Sequence, residues 1–233
     1  MTGAGKGLGR AVAKAFFQNG GFVAALSRNP ADLASLESEL QPEKGRFLSM
    51  AGDVASPEDS ARFGQEVRRL FKRVDCLVNN AGVLAPRGRI HEISIPDWDE
   101  AMRINVRGPF LMIKEFLPAM LRQKSGSIIN VSSGAGKRGS PQWGAYAVSK
   151  YALEGITQVT AAEVCPLGIR VNSVNPGGMR TRMRAAAYPD ENPAELPTPE
   201  EVSRLFLWLA SDDSRDVCGQ SIDYRQWAKT LAG

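Results

Sequence analysis

A tyrosine and a lysine stand four residues apart in GAYAVSKYALEG, at Tyr146 and Lys150. On a helix, positions i and i+4 share a face. A phenol ordinarily ionises near pH ~10, too high for proton exchange at neutrality. An ammonium beside it favours the phenolate and lowers that value. Such a pair could exchange a proton with a substrate hydroxyl or carbonyl oxygen. Tyr-x-x-x-Lys spacing alone is common and usually structural. Here, however, Ser133 closes an apolar run thirteen residues before Tyr146.

A second chemical feature opens the chain. In TGAGKGLGR the glycines fall at 3, 5, 7 and 9, just before a helical pattern. Glycine lets a backbone turn tightly and approach a pyrophosphate, and a helix N-terminus then offers free N–H groups and a positive dipole end. The spacing GxxxGxG differs from the common GxGxxG fingerprint, and a flexible terminal tail is the plainer alternative. The next apolar run ends in LSRN. An NAD site places an acidic residue there for the ribose 2′-hydroxyl. This chain has Ser27 followed by Arg28, whose guanidinium can hold a 2′-phosphate through bidentate bonds. Lys6 could add a second positive charge. These residues predict NADP over NAD, against the alternative of two ordinary surface cations.

The elements that must position these groups are legible as alternation. Residues 21–26, 46–51, 75–80, 127–133 and 169–176 are short apolar runs ending in or near Gly, Asn, Ser or Pro, and they predict buried strands. Between them, residues 10–20, 30–40, 57–73 and 96–122 carry apolar positions at helical spacing, several with Pro, Asp or Ser in the first turn. The expected fold is α/β, a single doubly wound Rossmann-type domain with a parallel sheet and helices on both faces. No internal repeat or linker divides the 233 residues. The Pro-rich stretch 185–201 is irregular and predicts a lid over a site, spanning about 178–200.

Composition narrows the function further. Hydrophobic residues make up 43% and charged residues 23%, with a formal net charge of +4. The basic residues form no long run, which argues against a nucleic-acid partner. No apolar run reaches the ~18 residues of a membrane span. Cys76, Cys165 and Cys218 form no CxxC pair or Cys/His cluster, so neither a metal site nor a disulfide framework is expected, and a reducing cytoplasm fits. The single histidine, His91, sits among polar residues and is assigned no catalytic role.

Four elements occur in order: TGxxxGxG from Thr2, NNAG at 79–82, Ser133, and YAVSK at 146–150. Together they resemble the short-chain dehydrogenase/reductase family over nearly the whole chain. The resemblance implies that Tyr146 is the general acid/base. Lys150 would lower its pKa and hold the nicotinamide ribose, Ser133 would bind the substrate oxygen, and Asn105 would support a proton relay through water. Thr2, Gly3, Gly7, Leu8 and Gly9 match the cofactor turn, and Asp53 and Val54 match an acidic–apolar pair beside the adenine. Asn79, Ala81 and Gly82 would form the cofactor floor, with Pro176, Gly177 and Thr181 near the nicotinamide. Asn79 and Asn80 could instead stabilise the sheet, and Ser132 reads as a packing neighbour.

The implied reaction interconverts a carbonyl and an alcohol with NADP. The substrate is a small molecule with Met179, Met183 and Tyr188 as candidate contacts; a 3-oxoacyl-carrier-protein reductase is one guess by family frequency. A homodimer or homotetramer is expected through helices within 96–122 and 144–165. The alternatives are a non-catalytic cofactor-binding regulator and a truncated, inactive family member. All four catalytic positions hold a chemically apt residue, which weighs against the regulator.

Two departures stand out. Tyr224-Arg225-Gln226 replaces the family's glycines after Gly219-Gln220, a loop that makes an oligomer contact in many members. The glycine turn also follows Met1 directly. A sheet of order 3-2-1-4-5-6-7 needs a central first strand. Omitting it leaves a gap of ~10 Å and unpaired backbone groups. The sequence therefore predicts a strongly weakened sheet, and a natural start upstream of Met1.

Overall fold

The computed structural model describes residues 1–43 and 45–230. In chain order the main elements are α1 (Gly7–Gln18), β1 (Val23–Ser27), α2 (Pro30–Leu40), β2 (Phe47–Ala51), α3 (Pro57–Phe71), β3 (Cys76–Asn79), α4 (Ile95–Met102) and α5 (Gly108–Gln123). They continue with β4 (Gly126–Val131), α6 (Gly144–Val164), β5 (Ile169–Asn175), α7 (Arg182–Ala187), α8 (Pro199–Ala210), β6 (Ser221–Asp223) and α9 (Tyr224–Thr230). Helix starts follow local chemistry. Asn29, Ser56, Ser94 and Thr198 each accept a backbone N–H from the first turn, and a proline follows in each first turn. Each such cap contributes ~1 kcal/mol.

All strand pairs are parallel. β1 pairs with β2, and β3, β4, β5 and β6 pair in that order. Side chains alternate between the faces. Val78, Ile129 and Val174 meet Leu8 and Val12 of α1 and Val202, Leu205, Phe206 and Leu209 of α8. Leu77, Ile128 and Val171 meet Phe63 of α3, Met112 and Phe116 of α5 and Val164 of α6. Apolar side chains on both faces explain why these strands read as continuous apolar runs rather than alternating ones.

Between β1 and β3 the two pieces of sheet are bridged by Met1 and Thr2. Leu26 N–H donates to the Met1 carbonyl at 3.0 Å, Gly3 N–H to Leu26 at 2.8 Å, and Thr2 N–H to Val78 at 3.0 Å. The expected central interruption is therefore real, but it is closed at the end where the glycine turn begins.

Three features differ from expectation. The helix expected over 96–122 is interrupted by a π-helical turn at Arg103–Arg107. A π turn inserts one residue and re-aims its neighbours. Here it brings Asn105 inward, where its side chain takes both the N–H and the C=O of Val83 at 2.8 and 3.0 Å. The expectation of no disulfide is also overturned: Cys165 and Cys218 are bonded, with Cα atoms 6.2 Å apart and a sequence separation of 53. The end of α6 lies beside the segment entering β6, a tertiary proximity that spacing does not reveal. The redox reading drawn from unpaired cysteines loses its basis. The lid, expected to be irregular, contains α7. Tyr224-Arg225-Gln226 opens α9, where Trp227 packs against Trp208 of α8 with tilted rings, 5.9 Å between centres. Among the described residues no helix is long and apolar enough to cross a membrane, and no group of acidic, His or Cys side chains could hold a metal.

Candidate active site

The carboxyl ends of β1, β3, β4 and β5 open on one cleft of about 1110 Å³, the position where doubly wound sheets bind ligands. The glycine turn forms its floor. Gly3 and Gly7 have φ of +66° and +52°, in the region L side chains rarely adopt. The turn is clamped to the end of β3. Asn80 donates from Nδ2 to the carbonyls of Thr2 and Gly3, each at 3.1 Å. Thr2 Oγ1 accepts from the N–H groups of Asn80 and Ala81 at 3.1 and 3.0 Å. No side chain caps the start of α1, so its first N–H groups remain available to an anion.

At one end of the cleft lie Lys6, Leu8, Ser27, Arg28 and Val54. Arg28 has its side chain 60% exposed and lies 3.7 Å from Glu100, while Lys6 pairs with Asp32 at 3.0 Å. Both cations are themselves exposed, and pairs of this kind are weak enough for a phosphate to replace.

At the other end Ser133, Tyr146 and Lys150 converge. Ser133 ends the segment after β4; Tyr146 and Lys150 come from the first two turns of α6. Lys150 is 5% exposed and donates from Nζ to the Val131 carbonyl at 2.8 Å. Nζ stands 5.7 Å from the Tyr146 ring centre. Burial pushes the Tyr146 phenol above its ordinary pKa, against a smaller lowering by the Ser133 hydroxyl. Burial likewise lowers Lys150 to about 8, opposed by the Glu154 carboxylate. The expectation that Lys150 depresses the Tyr146 pKa is therefore not met in this structure. Lys150 spends its hydrogen bond on Val131, and desolvation of the phenolate dominates.

Glu154 continues the helical face of Tyr146 and Lys150. Its carboxylate accepts from Ser173 Oγ at 2.7 Å and Ser221 Oγ at 3.1 Å. It is the one carboxylate whose charge raises the Lys150 pKa. With Glu154→Gln that pKa falls further below about 8, so the ammonium is lost at lower pH. If activity needs the ammonium, the alkaline limb of the kcat/KM profile shifts to lower pH by ~1 unit. An unmoved limb would separate Glu154 from the site.

Most predicted residues line the cleft: Gly3, Lys6, Gly7, Leu8, Gly9, Ser27, Arg28, Val54, Ala81, Gly82, Ser133, Tyr146, Lys150, Pro176, Gly177 and Thr181. Thr2, Asp53, Asn79 and Asn105 do not. Thr2 holds the turn as described. Asn79 donates to Asn130 Oδ1 at 2.8 Å, and Asp53 is tied to Ala55 N–H and Arg103. Asn105 is fully buried, and its remaining amide hydrogen bond goes to Ser149 Oγ at 2.9 Å. Its side chain supports the loop at Val83, with both amide hydrogens committed and one Oδ1 lone pair unused.

Sequence reasoning missed Arg10, Asp32, Arg138, Trp143 and Arg184, which also line the cleft. Trp143 lies 5.6 Å from Tyr146 and 5.9 Å from Tyr188 between ring centres. Arg87 lies over Trp143 at 5.2 Å, and Arg184 over Tyr188 at 3.7 Å. Only Trp143, three residues before Tyr146, left a signal in helical spacing; the others come from separate elements, Arg10 from α1, Asp32 from α2, Arg184 from α7 and Arg138 from the loop after Ser133.

This fold and cleft are those of the short-chain dehydrogenases, and the chain belongs to that family: its description as short chain dehydrogenase matches residues 1–192. The oxidoreductase YciK of Escherichia coli is 37% identical over 226 residues, covering 96% of this chain and 89% of that protein. The 3-oxoacyl-[acyl-carrier-protein] reductase FabG of Thermotoga maritima is 34% identical, with 95% and 93% covered. A short-chain dehydrogenase of Shigella flexneri complexed with NADP superposes with a TM-score of 0.91 at 37% identity, covering 96% of this chain and 95% of that one. A homologue from Escherichia coli CFT073 complexed with NADPH gives 0.90, with 96% and 94% covered.

Proposed function

We propose that this oxidoreductase interconverts a carbonyl and a secondary alcohol with NADP(H), with Tyr146 as general acid/base. One observation carries the reading: Ser133, Tyr146 and Lys150 meet at one end of the cleft whose other end is built by the glycine turn and Arg28. The glycine turn and the start of α1 fit a pyrophosphate, and Arg28 fits a 2′-phosphate. When bound, the nicotinamide supplies the hydride. Ser133 orients the substrate oxygen toward the phenol. Tyr146 gives its proton to that oxygen in reduction and takes it back in oxidation. Lys150 holds positive charge beside the phenol, and ribose hydroxyls at its Nζ would draw it away from Val131. Asp53 and Asn79 act from behind the cleft wall, and residues 178–200 act as the lid.

Support for NADP(H) comes from Arg28 and from the cofactors of the two related structures. Arg28→Ala is expected to weaken NADPH binding about tenfold and to change NADH binding by much less. Fluorescence titration of both cofactors checks this; equal losses would assign Arg28 no part in reading the phosphate. A homodimer through α5 and α6 is supported by the exposed apolar residues Phe110, Tyr151 and Val159 on those helices. A reductase of this kind works where the reduced cofactor is held, so the cytoplasm is the proposed compartment.

A further inference from the structure

The substrate end of the cleft is apolar around Tyr146, lined by Leu84, Trp143, Met179, Met183, Ala187 and Tyr188. Most arginines near it are already committed. Arg184 pairs with Glu191 at 2.7 Å and caps the Tyr188 ring. Arg180 donates to the carbonyls of Pro193 and Leu196 at 3.0 and 3.3 Å. Arg87 caps Trp143. Arg182 also lines the cleft with no ion pair or hydrogen bond among the described residues; it follows Thr181, whose side chain lies beside Gly7 of the glycine turn.

Arg138 approaches the cleft from the segment that carries Ser133. It lies on the loop between Ser133 and Trp143, its backbone N–H fixed to the Gly134 carbonyl at 3.1 Å, and it lines the cleft. Among the described residues its guanidinium has no ion pair or hydrogen bond. The one carboxylate lining the whole cleft is Asp32, at the far end and paired with Lys6. The cleft therefore combines an apolar wall around Tyr146 with an uncompensated, exposed guanidinium on the loop that follows Ser133.

We infer that the substrate is an apolar carbonyl compound bearing a carboxylate, which Arg138 holds while the carbonyl oxygen faces Ser133 and Tyr146. This deepens the reductase reading and rests on it. A guanidinium matches a carboxylate bidentately, whereas a neutral ester offers it one weak acceptor. Arg138 is then a specificity residue that selects the acid.

The test uses NADPH oxidation by the full chain with 3- and 4-acetylbenzoate, phenylglyoxylate and their methyl esters. At least one acid is expected to exceed its ester in kcat/KM by about tenfold or more. Arg138→Ala should collapse that ratio toward unity, and Arg138→Lys should restore part of it. Thermal unfolding of each variant establishes that it is folded; if Arg138→Ala does not fold, Arg138→Lys and Arg138→Gln are ranked by the same ratio. Esters reduced as well as acids, or a ratio unmoved by the substitutions, would overturn the inference and leave the reductase reading standing. NADPH binding with no turnover of any acid or ester would overturn both.

Discussion

Tyr146→Phe is expected to lower kcat by about 10³-fold, equivalent to ~4 kcal/mol of transition-state stabilisation, while NADPH binds with nearly unchanged affinity. Phenylalanine keeps the ring beside Trp143 and under the Lys150 ammonium, so packing is preserved. It removes the one hydroxyl placed to exchange a proton with the substrate oxygen. Kinetics and cofactor titration on the same preparation separate the two effects. A loss of both together would mean that the ring, rather than its hydroxyl, organises the site. A regulator that only senses the cofactor would show no turnover to lose.

Gly9→Ala should be the most damaging small substitution in the cofactor floor. A Cβ there would lie 2.8 Å from the Gly3 carbonyl carbon, nearer still to its oxygen, and against the Asn80 amide that clamps the turn. Two of these atoms are backbone, so no rotamer change relieves the clash. The expected cost is ~3 kcal/mol or more, a fall in Tm of roughly 6–12 °C for a domain this size. NADPH binding should fall with it, because the turn that faces the pyrophosphate is displaced. A thermal scan with and without NADPH measures both. An unchanged Tm would mean that the turn can shift without loss.

Strands β1, β3, β4 and β5 were legible as short apolar runs, and β4 is buried at every residue; β6, three half-buried residues, left no such run. Helices α2 and α3 declared themselves through the prolines that follow Asn29 and Ser56, whereas α8, opened by Thr198 at the end of the expected lid, went unread. The catalytic face was legible because Tyr146 and Lys150 obey helical spacing. What the sequence concealed depends on long-range proximity. Cys165 and Cys218 meet only once α6 and β6 are placed. Arg138 reads as one more surface cation until the loop after Ser133 folds beside Tyr146. Asn105 had the right type and place, yet the π turn directs its side chain into the loop at Val83. Lys150 was expected to lower the Tyr146 pKa and hold the nicotinamide ribose, and burial of both groups opposes the first of these.

The central claim is that this cleft delivers hydride from NADPH to a carbonyl under control of Tyr146. Its most direct test is incubation with NADPH deuterated at C4, each face labelled in turn, and an aryl ketone panel including the acetylbenzoates, followed by mass spectrometry of the alcohols. The account predicts deuterium on the carbinol carbon from one face of the cofactor only, and none with Tyr146→Phe. Cofactor bound at saturation, with no deuterium transferred to any ketone, would contradict it.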